Sequence, residues 1–67
     1  MYRINYYNLR AARKRQHLTL SKVGELIGLN KSTVAAYENR TSKIPAETLL
    51  FLITMYDAKF EDIIEKF

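Results

Sequence analysis

Apolar positions recur at three- and four-residue spacing along almost the whole chain, a period that predicts helices rather than strands. Over residues 5–16, Leu9 and Ala12 give an inner stripe that Tyr6 or Tyr7 extends, while Arg10, Arg13, Lys14 and Arg15 enrich the opposite face and the last turn, where cations suit the helix dipole. His17 is expected to end this helix in a left-handed conformation. Thr19 reads as the N-cap of a second helix over 20–27, with Val23, Ile27 and Leu20 facing inward and Gly28 as its stop. Asn30 is placed to cap a third helix over 31–39 by accepting from the backbone N–H of Ser32 or Thr33, with Val34 and Tyr37 as its anchors. Residues 40–44, RTSKI, form a loop, and Pro45 suits the first turn of a fourth helix reaching Tyr56. Asp57 and Ala58 break the chain before a last helix over 60–66, whose inner face is Phe60, Ile63 and Ile64. The expected fold is all-α: a five-helix domain occupying residues 1–67.

A chain of 67 residues buries only about 60% of the surface its unfolded form exposes, so this core has to be small. It contains no cysteine, which removes disulfides and thiolate metal sites as sources of stability and fits a reducing compartment. The first residues, MYRINYYNLRAARKR, include no apolar stretch of signal-peptide length, and nothing approaches the roughly 18 apolar residues of a membrane span. A soluble cytoplasmic protein with no membrane partner is the expectation. The net charge is +4, and its distribution is more informative than the total. Residues 1–45 carry nine basic side chains against Glu25 and Glu38, a balance of +7, whereas residues 46–67 carry two basic against five acidic, a balance of −3. One part of the molecule is therefore suited to a polyanion and the other is not.

Residues 20–39 combine these features. Two helices joined by a three- or four-residue turn containing glycine form a helix-turn-helix unit, whose second helix commonly enters the DNA major groove. Gly24 lies inside the first of these helices, where glycine costs about 1 kcal/mol relative to alanine. Close approach of the following helix is the compensating reason, with Val34 and Tyr37 filling the angle lined by Val23, Ile27 and Leu29.

From Leu9 to Ile64 the chain resembles the phage repressor and Cro type of helix-turn-helix family, through NLRAARKRQHLTLSKVGELIGLNKSTVAAYENR and IPAETLLFLITMYDAKFEDII. The family's small residue falls on Gly24 and its turn glycine on Gly28. Its apolar anchors fall on Val23, Ile27, Leu29, Val34 and Tyr37, and its Glu-Asn ending on Glu38 and Asn39. The resemblance implies that Lys31, Ser32, Ala35 and Ala36 face base edges, with Lys31 donating to guanine O6 or N7 and Ala35 meeting a thymine methyl. It implies phosphate contacts from Arg10, Arg13, Thr33 and Asn39, with Arg40, Ser42 and Lys43 as clamps on the same backbone. It also implies a pairing of Arg13 with Glu38 that turns the arginine toward a phosphate and ties two helices together.

Three departures from the family pattern alter that picture. Leu20 stands where many relatives carry glutamine, which removes one DNA contact. Ala35 and Ala36 replace longer polar side chains, so DNA shape and phosphate contacts are expected to carry more of the discrimination. Arg40 replaces the frequent glycine after the Glu-Asn pair, adding charge at the expense of an easy left-handed turn.

Outside the motif, His17 has no grouped partners for metal binding or base catalysis and reads as a helix end. Tyr2, Tyr6 and Tyr7 are expected to pack on the first helix rather than stack on bases. The fourth helix is apolar almost all round, and Phe51, with Ile44, Phe60 and Phe67, suggests a homodimer interface that sets two recognition helices about 34 Å apart. The expected function is that of a sequence-specific regulator of transcription: a phage or bacterial repressor that binds an inverted repeat in double-stranded DNA as a dimer. No catalysis, cofactor, metal or small-molecule substrate is expected. The competing reading is a protein-binding module on the same scaffold, an antirepressor paired with a larger regulatory protein or the antitoxin of a toxin pair.

Overall fold

The computed structural model describes residues 1–67. Five helices follow a short first strand, and a second strand closes the chain: β1 (Tyr2–Ile4), α1 (Tyr6–Arg15), α2 (Leu20–Ile27), α3 (Lys31–Glu38), α4 (Ala46–Met55), α5 (Phe60–Ile63) and β2 (Ile64–Lys66). The all-α expectation is corrected by the two strands, which pair antiparallel in the register Tyr2↔Lys66, Arg3↔Glu65, Ile4↔Ile64. The last helix accordingly stops at Ile63 instead of continuing to residue 66. Ile64 is extended, at φ −104° and ψ 113°. Pairing sets Ile4 against Ile64 beside the core and Arg3 against Glu65 on the other face, and cross-strand pairs of this kind favour a ribbon over one more helical turn. Tyr2 and Tyr7 are exposed, so of the three N-terminal tyrosines only Tyr6 is even half-buried on the first helix.

Side-chain caps start three of the helices. Asn5 accepts from the Asn8 N–H at 2.9 Å, Thr19 from the Lys22 N–H at 3.1 Å and Asn30 from the Thr33 N–H at 2.9 Å. The four longest helices end alike, each with a left-handed residue: His17 at φ 57°, Gly28 at 76°, Arg40 at 65° and Asp57 at 51°. After it, the N–H of Leu18, Leu29, Thr41 or Ala58 returns to the carbonyl five residues earlier, which satisfies carbonyls that a helix end leaves open. Glycine occupies only one of the four positions.

The core gathers Leu9 and Ala12 of α1, Val23 of α2, Val34 of α3, Leu49, Leu52 and Ile53 of α4, Tyr56, and Ile63 of α5. α4 thus buries one face, while its Leu50 and Phe51 are exposed. The end of the chain is fastened to its beginning by polar groups as well. Asn5 N–H donates to the Ile63 carbonyl at 2.6 Å, Asn8 Nδ2 to the Asp62 carbonyl at 2.7 Å and Asn5 Nδ2 to Glu65 at 3.0 Å. No helix is long and apolar enough to cross a membrane.

Candidate nucleic-acid interface

α2 and α3 meet across the turn at Gly28, and Gly24 sets how closely. A Cβ built on Gly24 would fall inside contact distance of the Leu29 carbonyl oxygen and 3.2 Å from the Asn30 carbonyl carbon. The Leu29 N–H donates back to the Gly24 carbonyl at 2.8 Å, locking the turn. Val23 and Val34 are fully buried in the angle, Tyr37 is nearly so, and Ile27 and Leu29 are half-buried at its edge.

The two ends of α3 are built differently. At its start, Asn30 Oδ1 accepts from the Thr33 N–H, from Ser32 Oγ at 2.7 Å and from Thr33 Oγ1 at 3.0 Å. This cap fixes the first turn and leaves the earliest N–H groups of α3 without intrahelical partners, as the positive end of the helix dipole. Lys31 and Ser32 are exposed, and Ala35 and Ala36 are half-buried.

At the other end Glu38 is 6% exposed and Arg13 8%. Arg13 Nε donates to Glu38 Oε2 at 2.6 Å and Nη2 to Oε1 at 3.2 Å, while Nη1 donates to the Leu18 carbonyl at 2.6 Å. One guanidinium thereby joins α1, the α1–α2 connection and α3. Two charges this far from water are tolerable because each is paired and hydrogen-bonded. Their field reaches Tyr56, whose phenol is pushed well above its ordinary value, first by burial and then by Glu38, with Arg13 pulling the other way. Arg10 adds a third arm: its Nε lies 3.4 Å from Glu38 Oε1, and Nη2 donates to Asn39 Oδ1 at 3.2 Å.

Of the seven side chains expected at phosphates, Arg13 is the one that the fold buries. Its guanidinium donates to Glu38 and to the Leu18 carbonyl, and the residue lines a depression with Arg10, Lys14, Ala35 and Asn39. Arg10, Asn39, Arg40, Ser42 and Lys43 are exposed and Thr33 is half-buried. The side chains of Lys31, Arg40 and Lys43 make no hydrogen bond and no ion pair, whereas Lys22 is paired with Glu25. Arg40 takes the left-handed turn although it is not glycine, at φ 65°, and its guanidinium lies over the Tyr6 ring at 5.1 Å. The Arg10–Asn39 and Arg40–Tyr6 contacts join residues 29 and 34 positions apart, and no local pattern announced them.

The four residues expected at a dimer interface have different neighbours. Ile44 is half-buried against the core. Phe51 shares a shallow depression with Leu26, Ile27 and Met55, and Phe67 lies under Arg3 at 4.9 Å beside the sheet. Phe51, Phe60 and Phe67 are each more than half exposed.

Two helices packed closely across a glycine turn, the second capped at its start, make up a helix-turn-helix unit. The helix-turn-helix family model matches residues 9–63, and the chain belongs to that family. It is also 36% identical over 56 residues to YobD of Bacillus subtilis (strain 168), named as an uncharacterized HTH-type transcriptional regulator; the alignment covers 84% of this chain and 50% of YobD. The chain thus spans about half the length of that relative. No solved structure gave a significant match.

Proposed function

We propose that the chain is a sequence-specific, double-stranded-DNA-binding regulator of transcription that acts in the cytoplasm as a repressor, by occupying an inverted-repeat operator as a dimer. The observation that carries this reading is the construction of α3: its first turn is capped, exposed and basic, and its last turn is anchored by a buried ion pair. A helix held in this way presents Lys31, Ser32, Ala35 and Ala36 to base edges in fixed register. Arg10, Thr33, Asn39, Arg40, Ser42 and Lys43 supply the phosphate contacts, with Arg13 behind them as the strut. Ser32 already donates its hydroxyl to Asn30, and two alanines follow, so few direct hydrogen bonds to bases are available. DNA shape then contributes much of the discrimination. The family match and the name given to YobD both favour regulation of transcription as the setting.

Selection of sites from random duplex DNA near physiological salt tests the proposal. Enrichment of a two-fold symmetric site supports a dimeric, sequence-specific regulator. Recovery without sequence preference favours instead a protein-binding module, a reading supported by exposed Leu26, Leu50 and Phe51.

A further inference from the structure

The largest cleft on the molecule lies off the recognition helix. It is open, has a volume of about 650 Å³, and its lining includes Tyr2, Arg3, Tyr6, Tyr7 and Arg40, together with one carboxylate, Glu65, which accepts from Arg3 and Asn5. Its polar groups are incompletely used. The Arg40 guanidinium lies over the Tyr6 ring and gives no hydrogen bond to the protein, so all its side-chain donors are open. Arg3 stacks on Phe67 and spends only Nε, on Glu65 at 3.3 Å, an exposed pair that counts for little in water. Both Nη groups of Arg3 are left over. Ring stacking holds the two guanidiniums in place while leaving their edges free, which suits them to bind the oxygens of a phosphate.

The cleft is also continuous with the proposed DNA face. Tyr7, on its wall, lines a second depression with Arg10, Ala11 and Lys14. Arg10 and Lys14 in turn line a third with Ala35 and Asn39 of the recognition helix. A basic track therefore runs from Ala35 over the flank of α1 to β1, with tyrosines between the cations. α3 has eight residues and is about 12 Å long, which matches three to four base pairs at 3.4 Å each. Arg40 follows the end of α3, so a phosphate in the cleft belongs to DNA beyond those base pairs.

We propose that this cleft is a second binding site for the phosphodiester backbone of duplex DNA, in which Arg3, Arg40 and the hydroxyls of Tyr2 and Tyr7 grip a phosphate flanking the segment that α3 reads. The proposal rests on the DNA-binding reading above, and it adds Arg3, Tyr2, Tyr7 and Lys14 to the contact surface.

The test is binding of the whole chain to a labelled 24-base-pair duplex of random sequence over a range of salt. Four proteins are compared: wild type, Arg3→Ala, Tyr7→Ala, and Lys59→Ala, which removes one charge outside the cleft. Arg3→Ala is expected to weaken binding roughly three- to tenfold and to lower the salt slope by about 0.9, the value of one phosphate contact. Tyr7→Ala, at a position 83% exposed, leaves folding intact and is expected to weaken binding about threefold without changing the slope. Lys59→Ala is expected to change neither. If Arg3→Ala and Tyr7→Ala both bind like Lys59→Ala while wild type binds duplex normally, the cleft is not a DNA site and the helix-turn-helix reading survives. If the losses occur with a single-stranded dT12 probe and not with duplex, the duplex assignment is overturned. Failure of wild type to bind duplex at any salt removes the DNA-binding reading itself, and the cleft proposal with it.

Discussion

Arg13 and Arg40 stand at opposite limits of what a basic side chain does in this fold, and the regions around them differ in the same way. Around Arg13 every guanidinium nitrogen has an acceptor: Glu38 and the Leu18 carbonyl are both engaged, and the residue is buried. Around Arg40 the exposed edge that also includes Lys31 and Lys43 has cations without acceptors. The difference lies in solvation. A buried arginine must be paired or the fold fails, whereas an exposed one can stay open until a polyanion arrives. At the same end of the recognition helix one arginine therefore holds Glu38 from within, and another stays open on the surface.

The contrast is broken most severely at Glu38. Glu38→Ala leaves Arg13 buried and unpaired and should cost about 3–5 kcal/mol in urea denaturation, a large part of what so small a domain has. Replacing Arg13 and Glu38 together by apolar side chains should cost far less, which separates the penalty of an orphaned charge from the worth of the pair. Gly24→Ala should cost about 2 kcal/mol, because the added methyl meets the Leu29 carbonyl and only backbone movement can relieve it. Gly28→Ala, in open space but at φ 76°, should cost about 1 kcal/mol, and the two together measure packing against backbone strain.

Tyr56 reports on the buried side through pH. Its phenol is raised in the folded state, so below about pH 10 it is neutral whether folded or not and contributes no pH dependence. Above that the unfolded chain loses the proton first, and stability should fall by up to about 1.4 kcal/mol per pH unit. Tyr56→Phe should flatten this part of the curve, measured by denaturation between pH 9 and 11.

On the open edge the expected effects on stability are small and those on binding are not. Arg40→Gly relieves a left-handed arginine but loses its stacking on Tyr6, a net gain of about 0.5 kcal/mol, while affinity for duplex DNA falls. Lys43→Ala should stay within about 0.5 kcal/mol of wild type and lower the salt slope of DNA binding by about 0.9.

Much of the helical layout was legible because short-range chemistry determines it. Thr19 and Asn30 cap the helices that they precede, and His17 and Gly28 take the left-handed turns that their positions called for. The strands were hidden because Ile63 and Ile64 extend a helical apolar pattern as readily as a β one, and only Ile4, sixty residues away, decides between them. At the interface, the identity of Lys31, Arg40 and Lys43 was visible as charge. What sequence could not supply was which arginines are already occupied: the burial of Arg13 depends on Glu38, 25 positions on, and the cleft around Arg3 exists only once β1 has paired with β2.

The most direct test of the central claim is to titrate duplex DNA carrying the selected site into isotope-labelled protein and follow its backbone amide resonances. The account predicts the largest shifts at residues 31–36, 40 and 43, with the buried surroundings of Arg13 and Glu38 moving little. Shifts confined to the exposed face of α4 around Leu50 and Phe51, with residues 31–36 unmoved, would contradict it.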